Sequence, residues 1–355
     1  MTILVFPSAL EAAARFAGDA HQWGRRVVGA SSLEQDPNAA AFDAWARLPF
    51  IGAPDFLDAL AALVEREAIT DLFTPHAATF HLFEQVLPAR LPGLRLMGPG
   101  PFKRQMNRVS AGLADGRAGL EAIAALVGAP SPLPAELVGG ILAQAETIHG
   151  ECSREKILAI CAVTPLAPKG DIVEIGALFG KSSYVFNRVG AHCGVGATLC
   201  VDPWDLGLSV QTDAPVLIQE ASGGWDWELV RSGFLLAMLG CTAGDFNYLR
   251  MTSADAHRRY VENREVVSPE FGSTALAGSI AVLHLDGNHD EAAVAEDFAL
   301  WGPLVAPGGW IIFDDYHWPH GDGPRKVADR AIAAYGARVQ RHFVAGGAMF
   351  VHLAP

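Results

Sequence analysis

The stretch VEIGALFGKSS, residues 173–183, leaves an apolar run, passes through two glycines and enters a segment of helical character. A strand that turns through glycine into a helix opens a parallel α/β unit. Glycines at such a crossing permit a tight turn and let a ligand approach the backbone. Gly176 and Gly180 line this turn, and Ser182 and Ser183 start the helix. The dinucleotide fingerprint needs its second glycine where this chain carries Leu178, which disfavours a pyrophosphate. Glu174, at the strand end, offers a carboxylate to a cationic ligand group. Taken alone, the loop's other reading is a plain structural turn.

The following strands narrow the choice. ATLCVDPWD (197–205) ends on Asp202, 28 residues after Glu174, where a carboxylate accepts hydrogen bonds from both hydroxyls of a ribose. Trp204 stands where an adenine stacks. FNYLRMTSADA (246–256) closes a third strand with Ser253 and Asp255 behind it. Asp255 reads either as acceptor of an adenine amino group or as a helix cap on the surface. A positively charged nucleoside without phosphates fits this pattern, so S-adenosylmethionine suits it better than NAD.

HLDGNHDE (284–291) places Asp286 at the end of a fourth strand, and IIFDDYHW (311–318) places Asp314 and Asp315 at the end of a fifth. In a parallel sheet such neighbouring C-terminal ends form one side of the ligand crevice. Three carboxylates gathered there repel one another unless protonated or bridged, and oxygen donors suit Mg²⁺, with Mn²⁺ or Ca²⁺ as alternatives. The bland reading is one Asp capping a turn and the other facing water. His289, three positions after Asp286, is the candidate proton acceptor; His317, His320 and His149 are weaker ones, and Trp318 a candidate substrate wall.

The chain as a whole has 355 residues, half of them apolar, with 39 acidic against 26 basic side chains and a formal charge of -13. That length accommodates two domains. The charge argues against general binding to a nucleic-acid backbone. Five cysteines without a CxxC pair suit a reducing compartment. No apolar run reaches membrane-spanning length and the start lacks a signal-peptide pattern, so a cytoplasmic protein is expected. Residues 1–104 alternate strand and helix patterns as a small parallel α/β domain, with Ser31, Ser32 and His76 as polar candidates at strand ends. Residues 105–165 read as a helical connector and 166–355 as a second α/β domain. Within the latter, 205–245 is an insertion rich in Trp, Gly and Leu.

EIGALFGKSS, CVDPWD, LHLDGNHDEAAVAEDFALWGPLVAPGG and WIIFDDY together resemble the class I S-adenosylmethionine-dependent methyltransferases over roughly residues 145–355. More closely they are similar to the metal-dependent O-methyltransferases of antibiotic-sugar tailoring, the macrocin type, and to cephalosporin hydroxylase-like proteins. The resemblance implies a Rossmann-like sheet of order 3-2-1-4-5-7-6 with the last strand antiparallel. It implies Glu174, Gly176 and Gly180 on the methionine side of the cofactor, Asp202 on its ribose, and a metal on Asp286, Asp314 and Asp315. Some antibiotic-sugar members carry an Asp base where this chain has Asn288, which leaves His289 or a water route. The first 100 residues resemble the small Rossmann-like domain that precedes ATP-grasp in some ligases; nothing after them resembles ATP-grasp. The reaction expected is methyl transfer to a hydroxyl of a small molecule, possible as a homo-oligomer. A hydroxylase-like enzyme, a non-catalytic nucleoside-binding protein and an NAD-dependent oxidoreductase are the alternatives, the last disfavoured by Leu178.

Overall fold

The computed structural model describes residues 1–209, 211 and 215–355, of which the side chains at 218, 221 and 222 are not described. The chain divides into two compact units, Met1–Ala111 and Gly112–Pro355.

The first unit runs β1 (Thr2–Val5), α1 (Glu11–Gln22), β2 (Arg26–Ser31), β3 (Ala44–Arg47), α2 (Phe56–Arg66), β4 (Ile69–Phe73), α3 (Ala77–Arg90) and β5 (Arg95–Leu96). Its sheet has the order β3-β2-β1-β4-β5 and its pairings are parallel. The TILV and VVGAS runs are buried because helices cover both faces of the sheet. The pattern did not announce β3: AWAR is four residues long and half exposed, and only pairing to β2 makes it a strand. At the strand ends, Ser32 donates to the Pro49 carbonyl and His76 accepts the Thr79 amide, so both serve local structure.

A long helix, α4 (Pro101–Val127), begins in the first unit and ends in the second. Within the second unit it crosses α5 (Ala135–Ala145) at backbone contact: a Cβ on Gly116 would lie 2.0 Å from the Ala135 carbonyl oxygen. Of the residues read as a connector, 105–111 fall in the first unit and 112–165 in the second. There follow α6 (Arg154–Val163), β6 (Asp171–Ile175), α7 (Lys181–Cys193) and β7 (Thr198–Val201). The insertion forms α8 (Leu206–Ser209), α9 (Val216–Gly223) and α10 (Trp227–Cys241); residues 210 and 212–214 lie outside the described residues. Then come β8 (Phe246–Leu249), α11 (Ser253–Glu262), the hairpin β9 (Glu265–Ser268) and β10 (Gly272–Ala275), β11 (Ile280–Leu285), α12 (Glu291–Trp301), β12 (Val305–Phe313), α13 (Gly323–Tyr335), β13 (Val339–Ala345) and β14 (Ala348–Leu353).

Among the described residues these strands form a sheet of order β13-β14-β12-β11-β6-β7-β8, parallel except that β14 runs against both β12 and β13. Strands β6, β7 and β11 are buried throughout, as central strands covered on both faces must be. Helices α5, α6 and α7 close one face; α11, α12 and α13 close the other. The chain moves outward from β6 through β7 to β8, then returns to place β11 on the other side of β6. That reversal opens a crevice beyond the C-terminal ends of β6 and β11. No described helix is long and apolar enough to cross a membrane.

Candidate functional site

The glycine loop takes its shape from both sides. Gly176 has φ 86°, and a Cβ there would fall 2.0 Å from the Asp286 carbonyl oxygen, so this turn admits only glycine. Leu178 also lies in the left-handed region, φ 47°. The loop is held by Asp202, whose Oδ2 accepts the amides of Ala177 and Leu178, both at 2.9 Å, while Oδ1 accepts the Trp204 amide at 2.7 Å. Burial raises the pKa of Asp202, and these amides oppose the rise.

Beneath the loop lies a buried chain of charged and polar groups. Glu174 is fully buried and accepts from the Ser183 hydroxyl. Its Oε1 lies 2.9 Å from Nδ1 of His284, its register partner on β11. Burial pushes Glu174 up, but hydrogen bonds from His284, Ser182 and Ser183 hold it below the usual carboxylate range. The other imidazole nitrogen, His284 Nε2, has no hydrogen-bond partner among the described residues. It lies 3.8 Å from an oxygen of Asp286 and 3.8 Å from an oxygen of Asp314.

The opposite charge for these acids comes from α6. Lys156 is 1% exposed; its Nζ lies 3.3 Å from Asp286 Oδ2 and contacts Asp314 Oδ2. Burial works against its charge, yet the two carboxylates raise its pKa well above the ordinary lysine value. Asp286 is resisted by burial but drawn down to about 2, chiefly by Lys156. Asp314 is pushed up by burial and by the neighbouring Asp286.

A second group lies on the far oxygen of Asp286. His289 Nε2 is 3.8 Å from Asp286 Oδ1 and 3.0 Å from Asp315 Oδ2, but makes no hydrogen bond among the described residues. Its Nδ1 meets the Gln211 side-chain amide at 3.0 Å, and its ring lies 5.0 Å from that of Trp318. Burial lowers the His289 pKa, but Asp286 and Asp315 outweigh it and raise it.

A cavity of about 540 Å³ opens onto this cluster. It is lined by Gly176, Ser182, Asp202, Ser253, Asp286, His289, Asp314 and Asp315 among the expected residues, and also by His149. Four expected cofactor residues stand elsewhere. Glu174 lies under the loop, paired with His284, because β6 turns its side chain into the core. Gly180 packs against Phe234 and Met238 at the start of α7. Trp204 is a core residue, 1% exposed, with its indole N–H donated to the Leu178 carbonyl. Asp255 lies in the first turn of α11, where Thr252 is the cap: its amide donates to the Thr252 hydroxyl, its carboxylate accepts from that hydroxyl at 2.9 Å and it pairs with Arg258. Among His317, His320 and Trp318, none lines the cavity.

The cavity wall also includes residues that the sequence did not single out. Trp225 and Trp227 come from the insertion, and Asp297 comes from α12 with its pKa pushed to about 6 by burial. Behind the wall, Lys156 and His284 complete the charge cluster.

The three acids expected to hold a metal divide between two groups of ligand atoms: His284, Asp286 and Asp314, and Asp286, His289 and Asp315. Within each group the atoms lie within 4.8 Å of one another. The donor set fits a divalent ion, because buried imidazole nitrogens without partners face carboxylate oxygens.

Comparison with known proteins reaches this part of the chain. No curated protein matches it. Solved structures with a similar course include the O-methyltransferase NovP, 15% identical with a TM-score of 0.41 over 57% of this chain and 81% of that one. The calicheamicin methyltransferase CalS11 is 12% identical, TM-score 0.41, over 66% and 91%. MycE of the mycinamycin pathway, solved with Mg, SAH and mycinamycin VI, is 15% identical, TM-score 0.38, over 64% and 57%. Likeness at this level does not bear on chemistry. Residues 173–316, from the glycine loop to just past the Asp pair, match a family model described as a methyltransferase domain.

Proposed function

We propose that this chain transfers the methyl group of S-adenosylmethionine to a hydroxyl oxygen of a small molecule, with a divalent ion in the cluster around Asp286. The observation that carries the reading is one cavity at the sheet's reversal, lined by the glycine loop, Asp202, and the Asp/His cluster together. The match of a methyltransferase domain model to residues 173–316 supports it. The wall suits a cationic nucleoside: it carries the carboxylates of Asp202, Glu296 and Asp297 and the aromatic rings of Trp225 and Trp227. Lys181 does not turn the loop toward phosphate, since its ammonium donates to the Gly150 carbonyl at 3.1 Å.

In this reading the glycine loop and Asp202 seat the nucleoside, and the Asp286 cluster seats the acceptor. A bound divalent ion supplies Lewis acidity that makes the acceptor hydroxyl easier to deprotonate. The chain's own part is to hold nucleophile and methyl donor in line, which supplies much of the rate gain. His289 can take the hydroxyl proton only with a lone pair on Nε2 that nothing else engages. The resemblance to antibiotic-sugar enzymes points to polyhydroxy natural products as acceptors.

Calorimetry on the full chain tests the reading, using S-adenosylmethionine, S-adenosylhomocysteine and NAD, each with and without Mg²⁺ or Mn²⁺. Both sulfur nucleosides should bind and NAD should not. Preference for NAD sinks the proposal.

A further inference from the structure

Two groups of ligand atoms share Asp286, one on each of its oxygens. On the Oδ2 side stand His284 Nε2 and Asp314 Oδ2; on the Oδ1 side stand His289 Nε2 and Asp315 Oδ2. The two sides differ in one respect. The first already contains a cation, the Lys156 ammonium, which touches Asp314 and lies 3.3 Å from Asp286. The second contains none among the described residues.

We propose that Lys156 is the built-in cation of the first group, and that a single divalent ion is held in the second by Asp286 Oδ1, His289 Nε2 and Asp315 Oδ2. The inference deepens the proposed function and rests on it only in taking a divalent ion as the cluster's ligand.

Charge supports it. Glu174, Asp286, Asp314 and Asp315 bring four carboxylates against one ammonium, and protonating both imidazoles still leaves the cluster negative. Uncompensated charge of this kind, largely out of water, is costly. Hydrogen bonding supports it as well. Fully buried His284 leaves Nε2 without a partner, aimed between two carboxylates, and His289 Nε2 is enclosed without one although Asp315 lies 3.0 Å away. Gln211 Oε1 also lacks a partner as placed. Turning that amide over lets Oε1 accept from His289 Nδ1–H and leaves the Nε2 lone pair facing Asp286 and Asp315. A lone pair facing two carboxylates calls for a cation between them. The imidazole donor shifts the preference from Mg²⁺ and Ca²⁺ toward Mn²⁺ and its heavier neighbours. It also withdraws His289 from proton transfer and sets Asp314 one step behind the ion.

The test is Mn²⁺ binding to the full chain, followed by electron paramagnetic resonance. Wild type should bind one ion and show coupling to a ¹⁴N nucleus in the pulsed spectrum. His289→Gln should lose that coupling, and Asp315→Asn should weaken binding at least about 100-fold, whereas Asp314→Asn should cost no more than about tenfold. Lys156→Met should admit a second ion. If that variant does not fold, the comparison of Asp314→Asn with Asp315→Asn decides alone. Absence of ¹⁴N coupling in the wild type, or equal losses in the two Asp variants, overturns the assignment. So does a folded Lys156→Met that still binds one ion. Titration with S-adenosylmethionine in the same samples separates the two readings. Mn²⁺ binding without nucleoside binding defeats the methyltransferase reading and leaves this one standing; nucleoside binding without Mn²⁺ overturns this one, together with the ion's part in the proposed function, and leaves the nucleoside site standing.

Discussion

The main sheet of each unit carries acids near its strand ends, and the two treat them in opposite ways. In the first unit Asp36 is fully engaged: it accepts the Ser8 hydroxyl at 2.5 Å, the Trp45 indole at 3.1 Å and the Asn38 amide at 2.8 Å. These neutral donors hold it below its usual pKa despite burial. In the second unit the acids face one another, a buried lysine and two imidazole nitrogens that make no hydrogen bond among the described residues. A self-satisfied acid organises a turn; an acid cluster short of donors is what the proposed ion would complete.

Substitutions sharpen that contrast. The largest effect is expected from Gly176→Ala, which forces a methyl to within 2.0 Å of the Asp286 carbonyl oxygen at φ 86°. It should cost more than about 3 kcal/mol in denaturant unfolding and abolish nucleoside binding. Next comes Ser8→Ala, which removes a fully buried donor from Asp36. It should cost about 2 kcal/mol and leave nucleoside and metal affinity unchanged. If Ser8→Ala also weakened ligand binding, the division of labour between the sheets would fail.

The smallest effect is a pH dependence. Burial raises Asp297 from 3.8 to about 6, so its neutral form is the one the fold prefers. A raised folded pKa gives full stability below the unfolded value, and that stability is lost as pH rises through about 6. Asp297→Asn should therefore match wild type near pH 4 and exceed it at pH 8. The gain should be on the order of 1 kcal/mol, reduced from the full shift because the group lines a cavity. Equal melting curves at both pH values would show that Asp297 is solvated in the folded chain.

Much of this was legible in the sequence, for a physical reason. Strand ends in a parallel sheet converge, so Gly176, Asp202, Asp286 and the Asp pair could be gathered from the order of apolar runs alone. Lys156 could not, because it lies 130 residues from Asp286, in SREKILAICAV, where a lysine in the first turn reads as solvated. His284 sits inside IAVLHL and reads as core until the register shows Glu174 beside it. Trp204 misled because residue type and position match a ligand contact, while side-chain direction, which spacing does not encode, turned it into the core; Asp255, open between an adenine contact and a surface role, lies in the first turn of α11 beside its Thr252 cap.

If the cavity takes the nucleoside proposed above, Asp202 bears on any attempt to change which nucleoside it accepts. In dinucleotide-binding α/β folds the acid after the second strand meets a ribose hydroxyl. Here the same carboxylate ties down the amides of Ala177 and Leu178, and Leu178 is held in a left-handed conformation that few side chains tolerate. Replacing Asp202 would release the loop as well as the proposed ribose contact. On that proposal selectivity and loop shape share one residue, so a redesign has to begin by making position 178 a glycine.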